Sequence, residues 1–182
     1  MLQIVVLAVL AIAPQVQPSL GSLKIEFVDT GSVRYRITNF DVPGSVGAQA
    51  QVINAHYYPG INAYTGGHYS EAYGQFTYMI NNASFWDGHP YQAHFIGTSH
   101  HLRGMILVYH AKGVGRLALA TSEFEAAIRW NPRNYAAHLE LARVLLDTGF
   151  KDQAASTLEN LIKLNPDKET LEEARAELKK LR

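Results

Sequence analysis

Hydrophobic and polar positions alternate, run together or recur at helical spacing in different parts of the chain. Over residues 22–38, Leu23, Ile25 and Phe27 alternate with Lys24 and Glu26, and Val33, Tyr35 and Ile37 alternate with Arg34 and Arg36. Period two predicts two half-buried strands. Asp29-Thr30-Gly31 between them suits a hairpin loop with Gly31 left-handed. That register sets Phe27 against Val33, Ile25 against Tyr35 and Glu26 against Arg34. A lone hairpin is unstable, so it must lie on the helices downstream. Residues 39–67 are rich in Gly, Pro and Asn; Pro43-Gly44 and Pro59-Gly60 mark turns, with a short helix expected from Gly47 to Tyr58.

From His68 the period changes to that of a helix. Tyr69, Ala72, Phe76, Met79 and Ile80 form one stripe, which Asn81-Asn82 ends. A loop follows at 83–90, with Pro90 fit for the first turn of the next helix. Tyr91, Phe95, Leu102, Ile106 and Tyr109 make a second, longer stripe, stopped at Gly113 and Gly115, where Arg116 is placed to cap free carbonyls. At the end of the chain, Leu171, Ala174, Leu178 and Leu181 line one side of a helix whose other side is charged. Thr170-Leu-Glu-Glu173 has the spacing of a capping box for it.

Residues 2–13, LQIVVLAVLAIA, hold one polar residue. The run matches the apolar region of a secretory signal and falls short of a membrane span. Ala11-Ile12-Ala13 has small-x-small cleavage spacing, with alternative cleavage before Leu20 or Ser22; no basic residue precedes the run, and a buried strand is the other reading. Residues 1–21 are therefore read as a signal peptide. The expected location is extracytoplasmic, periplasmic or secreted, and cytoplasmic if the segment is not a signal.

The chain also repeats itself. Phe124-Glu-Ala-Ala-Ile-Arg-Trp-Asn-Pro132 recurs as Leu158-Glu-Asn-Leu-Ile-Lys-Leu-Asn-Pro166, 34 positions on, and the same offset carries Leu107 to Leu141, Gly115 to Gly149 and Ala120 to Ala154. With helix, glycine turn, helix and Asn-Pro in that order, the segment resembles the tetratricopeptide repeat family. The match lies in the small residue of the second helix (Ala120, Ala154), the large apolar residue four later (Phe124, Leu158) and the closing proline (Pro132, Pro166). Repeats are assigned to 101–134 and 135–168. A degenerate unit over 41–100 precedes them, in which Ala72 and Phe76 take the parts of Ala120 and Phe124, Pro59 shortens the first helix, and about 14 residues are inserted near 83–97. Residues 169–182 cap the array. The expected fold is mainly α, a tetratricopeptide-type solenoid of helical hairpins behind a small β-hairpin at 22–40.

Composition narrows the chemistry. The 182 residues are 47% hydrophobic and 18% charged, enough apolar material for a core. Sixteen basic and sixteen acidic residues cancel, which argues against a nucleic-acid binder. The absence of cysteine removes disulfides, thiolate metal sites and cysteine nucleophiles. No phosphate loop or Gly-x-Ser-x-Gly is present; Gly113-Val-Gly-Arg116 reads as an inter-helix turn, and Asp87 and His89 beside Trp86 read as loop residues. Asn82-Ala-Ser84 is a glycosylation sequon, of use only on a eukaryotic secretory route. Of eight histidines, His94, His100, His101 and His110 fall within 94–110. None stands at i,i+3 or i,i+4 to another, and His94 and His101 lie ~10 Å apart along a helix. Packing and surface roles fit them better than a metal, and no cofactor is called for. Most aromatics of 57–95 are expected in the core, with an exposed subset free for contacts.

The resemblance implies a non-catalytic scaffold that binds a peptide or protein on a concave face lined by the first helix of each pair. The matching positions are Leu102, Met105, Tyr109 and Lys112, then Ala136, Leu139, Arg143 and Asp147. The Lys/Asn set of the family's carboxylate clamp is absent. An apolar or helical peptide held by Met105, Leu139 and Tyr109, with Arg143 meeting an acidic group, is the expected ligand. Neither nucleic acid nor an integral membrane span is expected. Two alternatives stand beside this reading: a structural subunit of a larger or self-assembling complex, and a histidine-based metal or haem binder.

Overall fold

A computed structural model describes residues 25–31 and 47–181 of the chain. Helices dominate. In chain order they are α1 (Gly47–Val52), α2 (Tyr58–Thr65), α3 (Tyr69–Asn81), α4 (Gln92–Tyr109), α5 (Arg116–Trp130), α6 (Tyr135–Asp147), α7 (Lys151–Lys163) and α8 (Lys168–Lys180). Two short strands, β1 (Glu26–Phe27) and β2 (Ala111–Lys112), pair antiparallel. No helix among the described residues is long and apolar enough to cross a membrane.

Helices α2/α3, α4/α5 and α6/α7 pack as successive pairs, and each pair stacks on the next through α3/α4, α5/α6 and finally α7/α8. Each second helix places a small residue and, four later, a large one in the core. Ala72 with Phe76, Ala120 with Phe124 and Ala154 with Leu158 are all fully buried. Four residues make about one turn, so each pair shares a face, and the alanine admits the neighbouring helix while the larger side chain fills the space beside it. The turns use Gly67, Gly115 and Gly149 at φ of 79°, 82° and 87°, a left-handed backbone that suits glycine. Arg116 donates to the carbonyls of Leu107 and Val108 at 3.2 and 2.9 Å and so ties off the end of α4.

The degenerate unit is a helix pair, but Pro59 does not shorten its first helix. Helical backbone runs from Gly47 through Thr65, with one wide turn at Ile53–Tyr57. There the Tyr58 N–H donates to the Ile53 carbonyl, five residues back. Pro59 follows as the first residues of α2 begin, where its missing N–H costs least. The insertion near 83–97 is a short 3₁₀ turn at Ala83–Trp86, a loop, and the first turns of a lengthened α4. It closes a second core of Ile53, Tyr57, Met79, Trp86, Phe95 and Ile96.

The alternation expected at the first strand holds over 25–28: Ile25 and Phe27 pack on the main core while Glu26 and Val28 are exposed. The expected second strand of the hairpin, 33–38, lies outside the described residues, as does the apolar run 2–13. The partner seen for β1 is β2, with Phe27 opposite Ala111 and Glu26 opposite Lys112. Gly31 is not left-handed; the Thr30 and Gly31 N–H groups both donate to the Gly67 carbonyl, at 2.8 and 3.0 Å. Asp29 reaches the start of α3, accepting from the Ser70 N–H at 2.8 Å and the Ser70 hydroxyl at 2.6 Å.

At the other end, the cap of α8 is Asp167 rather than Thr170. Its carboxylate accepts from the Thr170 N–H at 3.0 Å and the Thr170 hydroxyl at 2.7 Å. The helix thus starts three residues earlier than a Thr170–Glu173 capping box requires, and Glu173 is released for another contact.

Candidate functional site

The first helices α4, α6 and α8 lie side by side, and a row of polar side chains joins them across one face. The Tyr109 hydroxyl donates to Glu140 Oε2 at 2.6 Å. Arg143 donates to Glu140 Oε1 through one nitrogen and to Glu173 Oε1 through another. Glu140 is buried, 7% exposed, while Tyr109 is 52% exposed, so a desolvated carboxylate is tied to the hydroxyl of an open ring. Withdrawal of the Tyr109 hydroxyl from water, with the Glu140 hydrogen bond and charge, pushes its pKa up to about 12. Burial, reinforced by Tyr69 and Glu140, also raises the Tyr64 phenol.

Aromatic rings border this row. Tyr69 and His110 stack with centroids 3.6 Å apart and planes 7° from parallel, and Tyr64 meets them edge-on at 5.8 and 6.3 Å. The Tyr109 and His110 rings are 6.5 Å apart. Tyr64 at the end of α2 and Tyr69 at the start of α3 are brought here by the tight Gly66-Gly67 turn.

The eight positions expected to line this face divide four ways. Tyr109 and Arg143 are joined through Glu140. Ala136 and Asp147 are exposed on α6, at positions 136, 140, 143 and 147 of one helical stripe. Leu102 and Met105 are half-buried against the main core, and Leu139 is buried in it, so the apolar grip expected from Leu139 is spent on packing. Lys112 is not on the helix: α4 ends at Tyr109, and Lys112 lies on β2 opposite Glu26. Arg143, expected to meet an acidic ligand group, is paired here with two carboxylates of the chain itself, Glu140 and Glu173.

Sequence reasoning missed Glu140, Glu173, Tyr64 and Tyr69 at this face. Glu140 left one trace, a charged residue between Leu139 and Leu141 in an otherwise apolar stretch. Glu173 was hidden by the capping-box spacing.

The histidines serve separate local contacts. His100 Nδ1 lies 2.7 Å from Glu123, and Arg103 joins the same carboxylate at 2.7 Å while donating to the Tyr73 hydroxyl at 2.7 Å. His56 pairs with Gln75 at 2.8 Å and stacks on Tyr78, and His138 Nε2 donates to the Pro132 carbonyl at 3.0 Å. His101 is pressed toward Phe124, and its buried Nε2 has no hydrogen-bond partner. Among the described residues, no group of three or more His, Asp or Glu side chains is placed to hold one ion. A cavity of about 280 Å³ opens between α5, α6 and α7, beside Glu125, Arg129, His138 and Asn160. Its histidine is already engaged by Pro132, and its carboxylate has no acidic partner in the lining.

No curated protein and no solved structure matches the chain. The family model for the tetratricopeptide repeat matches residues 113–178. That match spans α5 to α8, with the Ala120/Phe124 and Ala154/Leu158 pairs and the turn at Gly149. Over this segment the chain is similar to the tetratricopeptide repeat, a repeat type that suggests a scaffold for protein–protein interaction.

Proposed function

We propose that the chain holds a peptide or protein partner on the face shared by α4, α6 and α8, and that its role is non-catalytic. The observation that carries this reading is the Tyr109–Glu140–Arg143–Glu173 row. It fixes side chains from three successive first helices in one surface while leaving the Tyr109 ring open. A photo-crosslinking residue placed at Ala136 or Tyr109 in the full-length chain, expressed in its own cells, tests it. Crosslinks to one defined partner from these positions, and none from exposed Glu125 on α5, are expected. A partner captured from α5 alone would overturn the assignment of the face.

Export belongs to the same proposal, supported by the apolar segment 2–13. Mass spectrometry of the isolated protein should find a mature N-terminus between residues 13 and 22; an intact Met1 would sink the idea.

A second reading, a structural subunit, is favoured by apolar residues at the inter-helix turns. Val114 is 86% exposed and Phe150 54%, and Val28 is held beside the first of these turns by its N–H to the His110 carbonyl. Replacing Val114 and Phe150 by serine should shift sedimentation if that edge docks a neighbour; unchanged sedimentation would dismiss it.

A further inference from the structure

The charge on the first-helix face differs from that of the chain as a whole. The chain is neutral, with sixteen residues of each sign. On α6, the stripe of Ala136, Glu140, Arg143 and Asp147 carries two acids and one base. On α8, Glu169, Glu173 and Glu177 recur every four residues and so share a side with Glu173, which faces Arg143. The bases on these stripes are engaged: Arg143 with Glu140 and Glu173, and Lys180 with Glu177 at 2.8 Å. The α1–α2 segment, 47–65, contributes no Asp, Glu, Lys or Arg. The face therefore carries five acids against two bases, and the aromatic side chains of Tyr109, Tyr64 and Tyr69 lie at its α2–α4 end.

We propose that this face binds a basic segment of a protein partner, with one arginine or lysine side chain seated on the Tyr109 ring and others meeting the accessible carboxylates of Glu173 and Asp147. The proposal rests on the reading that this face is the docking surface, and it names the chemistry of the ligand. The open Tyr109 ring offers a cation a π face, and the acidic side chains of α6 and α8 offer charge partners. An acidic ligand would meet repulsion along α8 and find Arg143 already neutralised. Asp147 is exposed and Glu173 partly so, and these two can join the ligand with little rearrangement.

The test is selection of a phage-displayed random peptide library on the immobilised full-length chain. Enriched peptides are then measured by fluorescence anisotropy against the wild type, Tyr109→Ala, Glu173→Gln and Asp147→Asn, each checked for wild-type helicity by circular dichroism. The last two residues are surface-accessible, so these variants keep the question open should Tyr109→Ala misfold. Peptides with recurrent Arg or Lys are expected, with affinity falling as salt rises and weakening about tenfold in Tyr109→Ala and in the Glu173→Gln, Asp147→Asn double variant. Enriched acidic or uncharged peptides that still depend on Tyr109 would overturn the basic ligand while leaving the docking face intact. Selection of no peptide that depends on any of the three positions would overturn both.

Discussion

A methyl group added to Gly104 would stand 2.6 Å from Cε1 of Phe124. The backbone of α4 thus rests directly on the aromatic ring of α5, and the same relation recurs one pair earlier, where a Cβ on Gly60 would lie 2.8 Å from Phe76. Close contact of a first helix with the large residue of its own second helix is what sets the spacing within the pair. Gly104→Ala should therefore destabilise, because overpacking costs about 1–3 kcal/mol and outweighs the helix propensity gained. Gly74→Ala on α3 meets nothing within 4 Å and should stabilise by about 0.5–1 kcal/mol. Urea denaturation of the two variants checks the pair; a stabilising Gly104→Ala would remove the close-contact argument.

Asp29 caps a helix through Ser70, 41 residues later. Its carboxylate accepts both the N–H and the hydroxyl of Ser70. Asp29→Ala should cost about 0.5–2 kcal/mol, the range for losing an N-terminal cap. Hydrogen exchange should quicken at Ser70 and Glu71 before it does elsewhere in α3. Unchanged exchange there would mean that the 25–31 segment does not anchor α3.

Arg103 and Glu123 form a largely buried pair at 2.7 Å, with side chains 11% and 13% exposed, and Arg103 also lies over the Tyr73 ring at 4.4 Å. Removing one partner leaves the other charged in a poorly hydrated site. Glu123→Leu alone should cost about 3–5 kcal/mol, and adding Arg103→Met should recover much of that loss. A denaturation series on the single and double variants decides it; strictly additive losses would show that the pair is not coupled.

Three histidines set an acid limit on stability. Burial lowers the folded-state pKa of His101, His110 and His138, against the nearby Glu140 charge for His101 and the Pro132 carbonyl for His138. The unfolded chain then binds more protons than the folded one. Their contribution is complete above the unfolded histidine value of about 6.5 and is lost as pH falls below it. Asp167 adds a loss at lower pH, since its hydrogen bonds from Thr170 depress its pKa. The urea midpoint should fall as pH is lowered from about 7 to about 5, and less steeply in His101→Asn. A flat midpoint across that window would contradict the account.

Sequence alone determined the helical pairs. Their signals are local and periodic: the stripe from Tyr69 to Ile80 became α3, and the Ala120/Phe124 and Ala154/Leu158 pairs became buried contacts. The glycine turns at 115 and 149 were equally legible, because a left-handed backbone leaves its mark on the residue that adopts it. Tertiary structure decided everything that joins residues distant along the chain. Strand β1 found β2 some 85 positions away, Asp29 rather than a local residue capped α3, and Asp167 displaced the capping box and turned Glu173 toward Arg143. The candidate site is of this second kind. Its positions at 109 and 143 could be read from the repeat register, but Glu140 and Glu173 could not. A carboxylate on a helix looks the same in sequence whether it points to water or to a hydroxyl on the next helix; the packing of α4, α6 and α8 makes that choice.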